Sequence, residues 1–171
     1  MSTPIHGTIA ETYLRARGIS ALHETASLHF HPRCHYKPDQ DLPAETWPAL
    51  IAAVTTLSGV ITGVHRTWLD PSGCSKAVID TPRRAMGFLL GNAVRFGVAH
   101  DVLAAGEGLE TMLSLRCALP SLPMASALSA NHLAAMLLPS DLRRLYIARD
   151  GRCRRRCGAG SFDAACGSCW H

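Results

Sequence analysis

In residues 8–17 the apolar side chains of Ile9, Tyr13 and Leu14 recur at helical spacing, Thr8 stands in a capping position with Glu11 three residues on, and Gly18 follows. That pattern predicts a short capped helix. Residues 27–36 set Leu28 and Phe30 between polar or histidine positions, which predicts a strand running into a Pro- and acid-rich loop over residues 38–48. Residues 49–56 and 60–69 are two β-rich runs joined by Leu57-Ser58-Gly59, and the second alternates Val60, Thr62, Val64 and Arg66. The pair predicts a hairpin. Asp70-Pro71-Ser72-Gly73 supplies a further turn, and residues 87–97 end in a short strand. Beyond it the period switches back and forth: strand at 101–105, helix from Leu109 to about Ala118, strand at 123–129, helix at 131–138 stopped by Pro139, and strand at 143–150. This order predicts a parallel α/β sheet with right-handed crossovers.

Within that order one junction carries candidate chemistry. Gly106-Glu107-Gly108 interrupts the change from buried strand to helix, so the glycines are expected to free the backbone for a sharp turn. Glu107 then sits at the carboxyl end of its strand, where open α/β sheets place their ligands. A carboxylate there serves a hard cation or a proton transfer; Glu107 and Glu110 also read as first-turn acids favouring a helix N-terminus. Asp150 ends the last strand of the same sheet, which places a second acid on that edge. Arg66, Lys76, Arg83 and Arg84 follow one another across adjacent elements and are candidates to face one groove, or else to form a solvated face.

Composition narrows the class. With 171 residues, 47% hydrophobic and 18% charged, the chain is that of a globular protein. No apolar run approaches the roughly 20 residues of a membrane span and the N-terminus lacks the build of a signal peptide, so the expected compartment is the cytoplasm with no membrane partner. The net charge of +4 is concentrated at the end: residues 151–171 hold four arginines against Asp163. Nucleic-acid binding must therefore be argued from particular residues. Cys34, Cys74 and Cys117 are isolated, while Cys153, Cys157, Cys166 and Cys169 crowd the tail and could form a zinc knuckle. His29, His31, Cys34 and His35 raise a second metal site, without the second ligand pair that zinc sites usually have.

Gly106-Glu107-Gly108-Leu109-Glu110-Thr111, then Ala127-Leu128-Ser129-Ala130, then Leu145-Tyr146-Ile147-Ala148-Arg149-Asp150 resemble the Toprim domain of primase and helicase-primase proteins from phages, plasmids and mobile elements. The front half, with Phe30-His31-Pro32-Arg33-Cys34 and Gly63-Val64-His65-Arg66-Thr67-Trp68-Leu69-Asp70, resembles the region that precedes Toprim there, and its layout is similar to the N-terminal subdomain of bacterial primase cores. The resemblance implies an α/β protein: an α+β primase-core-like subdomain over residues 1–97, an incomplete Toprim domain of Rossmann-like parallel sheet over 98–150, and an aberrant Arg- and Cys-rich tail over 151–171, expected to be disordered.

It further implies Glu107 as the catalytic acid, Mg²⁺ (or Mn²⁺) held by Glu107 and Asp150, and Arg66, Lys76, Arg83 and Arg84 as contacts to template or nucleotide. Single-stranded DNA and nucleoside triphosphates are the implied partners, with a replicative helicase as a further one. One departure stands out: the family carries an Asp-x-Asp pair, and the position two beyond Asp150 is Arg152. Back-translated into G- and C-rich codons and read one base later, the tail can spell an acid followed by an alanine-rich run, so a frameshift and a truncated, weak or inactive copy are expected. The alternatives are a Toprim nuclease and a non-catalytic DNA- or zinc-binding module.

Overall fold

The computed structural model describes residues 1–22, 26–38 and 42–149. Asp150, Arg152 and the four tail cysteines lie outside the described residues. The elements are β1 (Thr3–Pro4), α1 (Ile9–Ala16), β2 (Leu28–Tyr36), β3 (Glu45–Thr55), β4 (Ile61–Trp68), β5 (Arg83–Gly87), β6 (Val94–Phe96), β7 (Val102–Gly106), α2 (Leu109–Ala118), β8 (Met124–Ser126), α3 (Ala130–Ala134) and β9 (Arg144–Ala148). Two sheets result, of order β1-β2-β3-β4-β5 and β6-β8-β7-β9. The first is antiparallel throughout; in the second β7 runs parallel to both β8 and β9, and β6 is an antiparallel edge. The chain is thus a mixed α/β protein with an antiparallel sheet and a mostly parallel one.

Alternation along the strands decides which face of the first sheet is buried against the helices. The register Leu28–Ala52–His65–Ala85 and Phe30–Leu50–Thr67–Arg83 places these residues on one face. Leu28, Phe30, Leu50 and Ala52 join Tyr13 and Leu14 of α1, Leu109, Met112 and Leu113 of α2, and Ala104 and Met124 of the second sheet in a single core. The two sheets are therefore packed through shared apolar residues, and the bridge Thr55–Ala93 links them through the backbone. The opposite face of the first sheet has its own cluster around Tyr36, Ala49 and Trp68, and the far side of the second sheet packs Leu103, Ala105 and Ala125 near Leu133 and Met136.

Several local expectations change. Thr8 is the N-cap residue of α1 but its hydroxyl donates to the Ile5 carbonyl, and Glu11 accepts from Gly7 N–H at 2.7 Å. The acid reaches one residue further back than a capping box would, so the helix start is fixed by Glu11 rather than Thr8. The helix expected at 131–138 stops at Ala134, because Leu137 N–H turns away to the Gly91 carbonyl at 2.9 Å. β5 was absent from the expectation, and β1 likewise. No helix among the described residues is long and apolar enough to cross a membrane.

Candidate active site

The carboxyl ends of β7 and β9 lie on one edge of the second sheet because the two strands are parallel, with Gly106 paired to Ala148. Glu107 and Arg149 are the next residues of each strand, and both line a cleft of about 490 Å³ with His65, Arg83, Glu110 and Leu128. Gly106 and Gly108 adopt ordinary negative φ, so left-handed freedom is not their contribution. A Cβ on Gly106 would meet Met112 Sδ at 2.7 Å and the Ala148 carbonyl at 2.9 Å. Room for close packing of β7 against β9 and α2 is what glycine supplies.

The Glu107 backbone is fixed from β8: its carbonyl accepts from Leu128 N–H at 2.9 Å and from Ser126 Oγ at 3.1 Å. Leu128 holds φ at 72°, the left-handed region that a branched-chain residue seldom occupies. Such strain persists where surrounding contacts over-determine the backbone, and it falls here on the cleft wall. The Glu107 side chain itself is exposed and lines the same cleft as two cations, Arg83 and Arg149. Neither arginine forms an ion pair with a described residue.

Glu110, one turn further on, is used differently. Its Oε1 accepts from Tyr13 Oη at 2.9 Å and from Lys76 Nζ at 2.9 Å, and its side chain is 12% exposed. Burial alone would raise its pKa, but the hydrogen bond and charge of Lys76, its own backbone N–H and the Tyr13 hydroxyl outweigh that and hold it down at about 2. Burial and the Glu110 charge push the Tyr13 phenol up, so it stays a donor. Glu110 is therefore a fixed anion that ties α1 and the β4–β5 loop to the start of α2. His65 lies beside it at 8% exposure, with Nδ1 buried and without a hydrogen-bond partner. Burial is the main cause that brings its pKa down to about 4, so the imidazole is neutral at pH 7.

The four candidate cations do not share one groove. Arg83 lines the cleft, and Lys76 is taken up by Glu110. Arg66 and Arg84 pair with each other across β4 and β5 on the reverse face, where Arg66 stacks on Trp68 at 5.0 Å and Arg84 on Tyr36 at 4.9 Å. Strand alternation forces this split: Arg83 and Arg84 are neighbours in sequence and must project to opposite sides. His29, His31, Cys34 and His35 do not converge either, since no group of three or more His, Cys, Asp or Glu able to hold a metal occurs among the described residues. His31 Nδ1 instead accepts from Arg33 N–H at 3.2 Å.

Residues 1–96, more than half of the chain, match the domain of unknown function DUF7146. The chain belongs to the DUF7146 family. Residues 102–168 of this DUF7146 protein match the Toprim domain, so the match begins at β7 and includes both Glu107 and Asp150. No curated protein matches the chain. The RNA polymerase domain of Mycobacterium tuberculosis primase DnaG resembles it with a TM-score of 0.49 and 14% identity, over 84% of this chain and 60% of that one. The chain thus spans less than two thirds of that domain.

Toprim domains hold Mg²⁺ on acidic residues, and the donors present meet that need only in part. Glu107 is a carboxylate of the right hardness with no side-chain partner among the described residues. Glu110 has one oxygen committed to Lys76 and Tyr13, and Asp150 lies outside the described residues. One such carboxylate does not make a divalent-cation site, and the described residues hold no group of three or more ligands that would. Of the cleft residues, His65, Arg149 and Glu110 lie within the family-like motifs, and Glu110 also reads as a first-turn acid, but none stands out there as part of a cleft. Alternation along β4 could have placed His65 on the buried face; nothing local could have paired Glu110 with Tyr13, which is 97 positions away.

Proposed function

We propose that this protein is a Toprim primase-type nucleotidyltransferase that synthesises RNA primers on single-stranded DNA from nucleoside triphosphates, in the cytoplasm, during replication of a mobile element. The observation that carries the reading is Glu107: a free carboxylate, anchored through its backbone at the carboxyl end of β7, facing a cleft flanked by Arg83 and Arg149. Two exposed cations around one acid suit a phosphate-bearing substrate, because they attract and orient its oxygens while the acid remains available for a proton or a cation. In this reading Glu107 accepts the proton of the attacking 3′-hydroxyl, the new O–P bond forms at the α-phosphorus, and pyrophosphate leaves. Mg²⁺, or Mn²⁺, is assigned to Glu107 and Asp150, and a replicative helicase is the further partner.

Among the basic residues, Arg83 is assigned to substrate with Arg149 beside it; Arg66 and Arg84 are assigned to the reverse face, and Lys76 to holding Glu110. The activity is expected to be weak, because Arg152 stands two beyond Asp150 where the family places a second acid. The tail is read as a shift of reading frame after Asp150. Sequencing the gene through this region tests that point, and a shifted frame that lacks further Toprim strands overturns it.

The test of function is primer synthesis by the purified chain with Mg²⁺, ribonucleoside triphosphates and a single-stranded template. Glu107→Gln should reduce the rate by about 10² or more, as loss of a general base does. An unchanged rate in that variant sinks the assignment. Shortening of the template in place of primer synthesis would favour a Toprim nuclease, and zinc that is lost on removal of residues 151–171 would favour a non-catalytic module.

A further inference from the structure

His65 is an unusual residue to find where it is. It projects from the middle of β4 on the face that packs against α1 and α2, is 8% exposed, and leaves Nδ1 buried with no partner. An imidazole nitrogen so placed forfeits its hydrogen bond to water without replacing it, which is unfavourable. An apolar residue of similar size would suit the packing better, since Leu28, Leu50 and Ala52 share that face. Nor do the bonds of Glu110 involve His65: its Oε1 is taken by Tyr13 and Lys76. What distinguishes the position is that the ring lines the Glu107 cleft together with Arg83 and Arg149.

We infer that His65 is a substrate-contacting residue of this cleft, donating a hydrogen bond from its ring to a phosphate oxygen of the bound nucleotide. The inference rests on the proposed phosphate-bearing substrate and adds the residue that orients it. Among the described residues the ring has no partner to fix its tautomer at Nδ1, so the proton can be carried on whichever nitrogen faces the ligand. Arg83 and Arg149 supply charge from long, exposed side chains, whereas His65 is held by the strand and by its burial. Rigid donors of that kind set geometry, and mobile cations set attraction.

The experiment measures binding and stability together in the full-length chain, with inorganic tripolyphosphate and a fluorescent nucleoside triphosphate as probes. His65→Phe keeps the ring volume and removes both nitrogens; His65→Gln keeps a donor near the position of Nε2. Wild type should bind both probes, His65→Phe should bind each about tenfold more weakly while its thermal midpoint stays equal or rises, and His65→Gln should fall between the two. Undiminished binding by His65→Phe, or no binding of tripolyphosphate by the wild type, overturns the inference. If tripolyphosphate binds and depends on His65 while no primer is made, the inference stands and the polymerase reading alone fails. Should the Phe variant not fold, weakened binding by folded His65→Gln or His65→Leu serves as the same test, and unchanged binding in both overturns the claim.

Discussion

The two faces of the first sheet draw on the same strands and much the same residue types, yet they are finished in opposite ways. On the reverse face Arg84 donates to the carbonyls of Lys37 and Pro38 and to Thr81 Oγ1, and stacks on Tyr36; Tyr36 meets Trp68 edge-on at 5.0 Å, and Trp68 Nε1 donates to the Cys34 carbonyl. Arg66 completes the layer over Trp68, and its buried Nε has no partner among the described residues. Each cation there is laid on an aromatic ring of the protein. On the cleft face Arg83 has no described partner, His65 Nδ1 and Thr67 Oγ1 are buried without one, and Glu107 is free across the gap. Charge neutralised by local contacts builds structure, while charge left unmatched at a strand edge is available to a ligand.

One cation on the cleft side breaks that rule and gives the largest expected effect. Lys76 is consumed by Glu110, so it should behave like the reverse-face arginines, as structure. Lys76→Met leaves Glu110 buried with Tyr13 as its remaining side-chain donor, and stability at pH 7 should fall by about 3 kcal/mol in denaturant unfolding. Adding Glu110→Leu to that variant should recover most of the loss, since an apolar pair removes the uncompensated charge. A loss under about 0.5 kcal/mol would reclassify the pair as a surface contact.

Acid provides the next probe of the same contrast. The folded pKa of His65 is below its unfolded value of 6.5, at about 4, so its contribution is fully present above pH 6.5 and is lost as pH falls from there toward 4. Glu110, brought from 4.5 to about 2, adds stability above pH 4.5 that is lost between 4.5 and 2. Unfolding free energy should therefore decline by about 2–3 kcal/mol between pH 6.5 and 4, before the carboxylate takes over. In His65→Phe the decline over that first window should largely vanish, and a persistent slope would assign it to other groups.

How much of this was legible in the sequence depends on whether local period or distant partners decide the outcome. The β3–β4 hairpin was readable from two β-rich runs joined at a Gly turn, and β7–α2–β8 from short buried apolar runs on either side of a segment with helical spacing. The strand β5 was not, because as an edge strand it is mostly exposed and its residues Arg83–Gly87 carry no alternation of polarity; pairing with β4 creates it. Helix α3 was overextended for the complementary reason: Leu133, Met136 and Leu137 are spaced as a helix face, but Leu137 is claimed by Gly91. The position of Glu107 was legible from the Gly-flanked turn, whereas the difference between a free Glu107 and a committed Glu110 depends on Tyr13 and Lys76, far away in the chain.

Arg83 and Arg84 offer the finest test of the contrast, since they are adjacent, identical in type and separated only by strand alternation. Arg84→Ala removes bonds to the Lys37 and Pro38 carbonyls at 2.7 and 3.3 Å and the stacking on Tyr36. It should lower stability by about 1 kcal/mol while leaving tripolyphosphate affinity unchanged. Arg83→Ala removes an exposed cation with no described partner, so stability should move by no more than about 0.5 kcal/mol. Tripolyphosphate affinity should fall by about tenfold in that variant, and the loss should shrink as salt is raised, because an exposed charge acts through screened attraction. If instead the two variants lost affinity equally, the cation that matters would not be the one on the cleft face, and the division of the sheet into a structural and a ligand-facing side would fail.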